Sequence, residues 1–190
     1  MHAMLEYRFV RTAVTLIVTF AAILLVSERP ALAAPASQLD RDVDAALHTL
    51  YDGSPTAKVL GGKAKGILVF PKIVKAGFIV GGQGGDGALI KNGRKVGYYN
   101  ASAVSVGLQA GAQSFGFAIF FMTDAAMQSF EKSNGFEIGV GPTVVIVDAG
   151  AARDINTLTA KSDVYAFVFG QKGLMAGIGL QGTKITKLKR

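Results

Sequence analysis

Residues 82–87, Gly-Gln-Gly-Gly-Asp-Gly, match the G-x-G-x-x-G pattern of dinucleotide-binding loops and follow an apolar run that ends at Val80. Such a loop binds a pyrophosphate only when a helix starts directly after it, so that free backbone N–H groups and the helix dipole face the anion. Here the next residues, Ala88 to Tyr99, read as strand, Asn92-Gly93 turn, strand. The pattern therefore predicts a glycine-rich turn and no nucleotide cofactor. The other groups that could do chemistry are sparse. With no Cys and only His2 and His48, the chain has no thiolate nucleophile, disulfide, thiolate zinc site or multi-histidine metal site. His48 lies beside an apolar stripe and is expected to be a partly buried structural residue. Asp148, Asp154 and Asp163 lack calcium-loop spacing, and no pair of carboxylates is placed as an acid–base couple. The chain is expected not to be an enzyme and to need neither metal nor cofactor.

The basic residues are more informative. The chain of 190 residues carries 20 Lys+Arg against 13 Asp+Glu, a net charge of +7. Between residues 58 and 95 lie Lys58, Lys63, Lys65, Lys72, Lys75, Lys91, Arg94 and Lys95, opposed only by Asp86. The excess charge sits in that one stretch. A smaller basic cluster, Lys184, Lys187, Lys189 and Arg190, closes the chain. Clustered cations of this kind suit anionic phospholipid headgroups, at about 1 kcal/mol for each basic residue close to the surface. They also suit nucleic acid, but the aromatic residues nearby, Phe70, Phe78, Tyr98 and Tyr99, form no evident platform for stacking bases.

The elements that must position these residues can be read from periodicity. Met1–Arg11 carries Arg8 and Arg11 against Glu6, Thr12–Val26 is an apolar run, and Ser27–Ala34 holds Pro30 with small residues at Ala31 and Ala33. That layout predicts a secretory leader, residues 1–33, cleaved after Ala33 and followed by one domain, 34–190, with cleavage after Ala34 or retention as an uncleaved signal anchor as the alternatives. The protein is therefore expected to be exported to the periplasm or cell envelope. Ser37–Tyr51 places Leu39, Val43, Ala46, Leu47 and Leu50 on one helical stripe, with Ser37 as its cap. Ser54-Pro55 opens a second, short helix. From Gly66 onward the pattern is strand-like. Segments 67–70 and 76–80 flank Pro71, and others follow at 88–91, 96–100, 104–112, 117–122, 136–147, 164–169 and 174–181. One helix, Asp124–Lys132, is capped by Thr123 and turns Met127 and Phe130 the same way.

All 24 Gly fall between Gly53 and Gly182. Gly107, Gln109, Gly111 and Gln113 alternate along one strand, as do Gly139 with Gly141, and Gly177 with Gly179 and Gln181. Strand faces of Gly and Gln suit close backbone approach, bulges and tight coiling. The expected fold class is α+β: N-terminal helices packed on a strongly curved, mostly antiparallel, Gly-rich sheet or small barrel with one inserted helix.

Ala64–Leu89, AKGILVFPKIVKAGFIVGGQGGDGAL, resembles the opening of the SYLF domain, found in secreted bacterial lipid-binding proteins and in eukaryotic actin-regulating, phosphoinositide-binding proteins. Later blocks agree in order: Gly97–Gln113, Ala125–Phe130, Gly141-Pro142 and Gly173–Ile185. The resemblance spans roughly Ser37 to Ile185 and implies a non-enzymatic lipid- or membrane-associated domain. Two features depart from it. Ser37–Asp52 carries Asp40, Asp42, Asp44 and Asp52 against Arg41, where eukaryotic relatives have a basic amphipathic helix, and Tyr98-Tyr99 replaces a common Trp-Ser pair. The combined reading is an exported module that contacts a phospholipid membrane surface, with Lys63, Lys65, Lys72, Lys75, Arg94 and Lys95 as the lipid-binding residues and no nucleic-acid partner. The alternative is a structural module that meets an envelope protein through its Gly-rich sheet, with an actin-binding role as in the eukaryotic relatives a further option.

Overall fold

The structure is a computed structural model, and it describes residues 36–78, 80–106, 111–133, 136–139, 144–148, 162–173 and 180–189. The leader, Gly107, Gln109, the Gly141-Pro142 step and the Gly177/Gly179 alternation lie outside the described residues.

Helix α1 (Ala36–Gly53) buries Leu39, Val43, Ala46 and Leu50, the stripe that the apolar spacing marks, with Leu47 at its margin. It begins one residue before Ser37, so Ser37 is inside the helix rather than its cap. His48 is exposed, not partly buried, because it lies one residue outside the stripe. Helix α2 (Pro55–Gly61) is capped as expected: the Ser54 hydroxyl accepts from the Ala57 N–H at 3.2 Å. Helix α3 (Asp124–Lys132) has the same device, with Thr123 accepting from Ala126 and with Ala126, Met127 and Phe130 buried.

Among the described residues, eight strands form one curled half-barrel sheet: β1 (Gly66–Phe78), β2 (Val80–Lys91), β3 (Arg94–Val106), β4 (Gly111–Phe121), β5 (Phe136–Glu137), β6 (Val144–Asp148), β7 (Val164–Gly173) and β8 (Lys184–Lys187). Their order is β5-β8-β3-β2-β1-β4-β7-β6, antiparallel throughout except for the parallel β6–β7 pair. The class is α+β, as the sequence pattern predicts. The central strands are apolar on both faces, so both must be covered. On the convex face, Ile67, Val69, Ala88, Phe120, Tyr165 and Phe167 pack under α1 and α2. On the concave face, Leu68, Phe70, Leu89, Phe117, Ile119 and Phe121 pack against one another and against α3. Ring pairs join this core, with centroids 4.6 Å apart for Phe70–Phe117 and 4.8 Å for Phe121–Phe130.

Three expected interruptions are absent or displaced. Pro71 does not end a strand. The β1–β4 register shifts between Phe70 and Ile73, so a bulge absorbs the missing proline N–H and the strand continues. Residues 82–87 are not a turn but the middle of β2. Two of its glycines, Gly85 and Gly87, are needed there because the bulged strand presses on them. A Cβ on Gly85 would run into the Lys72 carbonyl oxygen, and one on Gly87 would meet the Val69 carbonyl oxygen and the Phe70 ring. Backbone approach thus explains Gly85 and Gly87, while a Cβ on Gly82 or Gly84 would make only ordinary contacts. Finally, 94–106 is a single strand across the gap expected near Ala101–Ala103, whereas 136–147 divides into β5 and β6.

Gly87→Ala is expected to lower the free energy of unfolding by about 1–3 kcal/mol, the usual scale for overpacking. Gly82→Ala, whose Cβ would meet nothing nearer than the Ala103 oxygen at 3.8 Å, is expected to change it by less than about 0.5 kcal/mol. Urea unfolding midpoints of the two variants check the contrast.

Candidate functional site: a basic cleft at the hairpin end

The β2–β3 hairpin turns on Asn92 and Gly93, both with positive φ (50° and 72°). That is the geometry of a two-residue type I′ turn, and Asn-Gly is the pair that adopts it at least cost. The turn sets Lys91 opposite Arg94. One step further the register slips between Leu89 and Ile90, so Val96 is an extra residue on β3. This bulge separates the aims of neighbouring side chains. Lys95 reaches back to α1, where its Nζ lies 2.6 Å from Asp44 Oδ2, while Val96 stays exposed.

Strand β8 then adds the chain's second basic cluster. It pairs with β3 through Tyr99↔Lys187, and the Leu188 N–H donates to the Tyr98 carbonyl. The result is a cleft of about 530 Å³ bordered by Lys91, Arg94, Lys95 and Lys187, with Leu89 and Tyr99 on its inner side and Glu131 of α3 at its rim. Lys91 Nζ is 2.7 Å from Glu131 Oε1. Among the described residues, Arg94 and Lys187 have no carboxylate within ion-pair distance. The cleft therefore holds two engaged and two unengaged cations, a surplus suited to an anion.

The six residues singled out by charge do not gather on one surface. Arg94 and Lys95 border the cleft. Lys63 and Lys65 sit in the loop entering β1, whose first rungs pair with the end of β2, so they lie at the same end of the sheet. Lys65 is 3.5 Å from Asp124. Lys72 instead borders a separate cleft of about 360 Å³ with Thr49, Pro71, Phe169 and Lys172. Lys75 is buried on the concave face. Lys91 and Lys187 join the cleft although they were outside the six. Lys91 could have been found from its place beside the Asn-Gly turn. Lys187 is far away in sequence, and only strand pairing brings it in. The acidic α1 is also less exposed as charge than its composition suggests, since Asp44 meets Lys95 and Asp40 accepts from the Tyr98 hydroxyl at 3.1 Å.

Comparison with known proteins agrees with the resemblance drawn from the sequence. Residues 102–190 match the Ysc84 family, described as "Las17-binding protein actin regulator". This span holds β4 through β8 and α3, and hence Lys187 and Glu131, whereas the Asn-Gly hairpin precedes it. Curated relatives are YSC84-like. The human SH3 domain-containing YSC84-like protein 1 is 26% identical over 132 residues, and the mouse protein 28% identical over 133. Each alignment takes in 67% of this chain and 38% of the relative, so the chain spans well under half the length of the curated relatives it matches.

Tyr99 also reports on the cleft. Burial, and after it the charge of Glu131, pushes its hydroxyl above the ordinary tyrosine value of 10.0; burial alone does the same for Tyr51. A folded-state value raised above the unfolded one gives stability that is complete below the unfolded value and lost as pH rises through the folded one. The urea midpoint is therefore expected to fall as pH is taken above about 10. Glu131→Gln is expected to move the tyrosinate absorbance titration of Tyr99 downward; no movement would remove Glu131 as a cause.

Proposed function

We propose that the protein is a non-catalytic binding module whose hairpin-end cleft takes the headgroups of anionic phospholipids. The observation that carries this reading is the meeting of two basic clusters, distant in sequence, around one cleft in which Arg94 and Lys187 have no carboxylate within ion-pair distance among the described residues. The exposed Val96 beside them offers an apolar contact just below the headgroup level. No helix among the described residues is long and apolar enough to cross a membrane, so the contact proposed is peripheral. The leader-like residues 1–33 support export, and with it an envelope membrane as the surface met.

A second reading is favoured by the family description: binding an actin-like or other protein partner through the same basic end. Both readings use charge. Both therefore weaken as ionic strength rises, and they separate by ligand.

Sedimentation with phosphatidylglycerol-containing vesicles is expected to carry the protein down, and pure phosphatidylcholine vesicles are expected not to. Arg94→Gln with Lys187→Gln should weaken the anionic binding by about 30-fold, from about 1 kcal/mol for each charge. Unchanged binding by that variant would remove the cleft as the site. Failure of the unaltered protein to bind, together with co-sedimentation on filamentous actin, would replace the lipid reading with the protein one.

A further inference from the structure

The concave face carries polar side chains where the core ends. On β1, Phe70 and Ile73 belong to the concave core, and two residues beyond Ile73 the same face presents Lys75. Lys75 pairs laterally with Gln83 on β2 and with Gln113 on β4. Three long polar side chains thus stand in one row across three adjacent strands. Directly opposed residues in such a row have Cβ atoms about 5 Å apart, close enough to act on a common ligand. Lys75 is 7% exposed and Gln113 6%. Thr183, at 1%, comes in from the turn before β8, and its hydroxyl accepts from Gln83 Nε2 at 3.0 Å.

This group is not satisfied internally. Among the described residues Lys75 has no carboxylate partner, and Gln113 Oε1 is buried without a hydrogen bond. Buried charges and amides are ordinarily paired, and an unpaired one destabilises the fold. Leucine or methionine in the same row would simply extend the packing of Ile73 and Phe115, so the polar choice works against stability. The buried, unpartnered amide oxygen of Gln113 beside Lys75 is a candidate for ligand contact. The groups on offer define the ligand. The Lys75 ammonium donates, and the Thr183 hydroxyl can donate while it accepts from Gln83. Gln113 Oε1 needs a donor. One molecule meets all three if it has an oxyanion with a hydroxyl close by.

We propose that Lys75, Gln83, Gln113 and Thr183 form an interior site for a small hydroxylated oxyanion, separate from the hairpin-end cleft. The oxyanion lies against Lys75 and Thr183, and its neighbouring hydroxyl donates to Gln113 Oε1. A glycerol phosphate and a hydroxycarboxylate share this chemistry.

The test is thermal unfolding of the full chain with glycerol 3-phosphate, lactate, inorganic phosphate or sodium chloride at matched ionic strength. Glycerol 3-phosphate or lactate, at about ten times its dissociation constant, is expected to raise Tm by about 3 °C above the chloride control. The larger shift of the two names the phosphate or the carboxylate source. Lys75→Met is expected to lose the shift and, without ligand, to melt higher than the unaltered protein. Arg94→Gln with Lys187→Gln is expected to keep the shift. Gln113→Leu should bring glycerol 3-phosphate down to the level of inorganic phosphate. No shift in the unaltered protein, or a shift that survives Lys75→Met, overturns the site; where Lys75→Met does not fold, Lys75→Gln is read in the same way. Loss of the shift in the Arg94/Lys187 variant assigns the binding to the cleft and overturns the proposal. Equal shifts from phosphate and glycerol 3-phosphate in the unaltered protein overturn the role of Gln113.

Discussion

The pressure of β1 on β2 is the constraint on which the rest of the structure depends. Pro71 cannot donate to the ladder, so β1 bulges, and the bulge drives the Lys72 carbonyl against Gly85 while Phe70 lies over Gly87. Two backbones come closer there than any Cβ would allow. Phe70 can then stack on Phe117, and the concave core grows outward from that pair to Phe115, Phe121 and Phe130 of α3. A flat sheet would leave this face open. Among the described residues, α3 together with Ile138 and Leu180 packs onto this aromatic face.

The same curl decides where charge and polarity end up. It carries β8 alongside β3, and so sets the terminal basic cluster against the hairpin cluster. The convex face, by contrast, is taken by α1 and α2, whose acidic residues are partly spent on Lys95 and Tyr98. The exposed ion pairs Lys65–Asp124 and Lys91–Glu131 contribute little to stability by themselves. Their effect is to leave Arg94 and Lys187 as the unengaged cations of the cleft. Along the concave face, the apolar core stops at Ile73 and Phe115, and the polar row of Lys75, Gln83 and Gln113 begins.

Much of the fold is legible from local pattern. The helix stripe, the Ser54 and Thr123 caps, the Asn92-Gly93 turn and the α+β class each follow from spacing within a few residues. The errors at Pro71 and at 82–87 share one cause. Pro71 and the run 82–87 look like interruptions because proline and glycine usually are, and nothing local shows that a bulge can absorb one and a neighbouring strand can require the other. His48 was misplaced by a single step around the helix, enough to move it from the stripe to the solvent.

The sequence by itself determined that the excess charge lies in the stretch 58–95, that cysteine chemistry is absent, and that the chain resembles the SYLF domain from roughly Ser37 to Ile185. Those properties depend on composition and on residues close together in the chain. Only the tertiary structure decided which cations act together. Lys187 joins Arg94, Lys72 goes to another cleft, and Lys75 turns inward, because strand register and the alternation of strand faces assign each side chain its side of the sheet. A shift of one residue would reverse those assignments, and the register that prevents it is set by contacts between strands far apart in sequence.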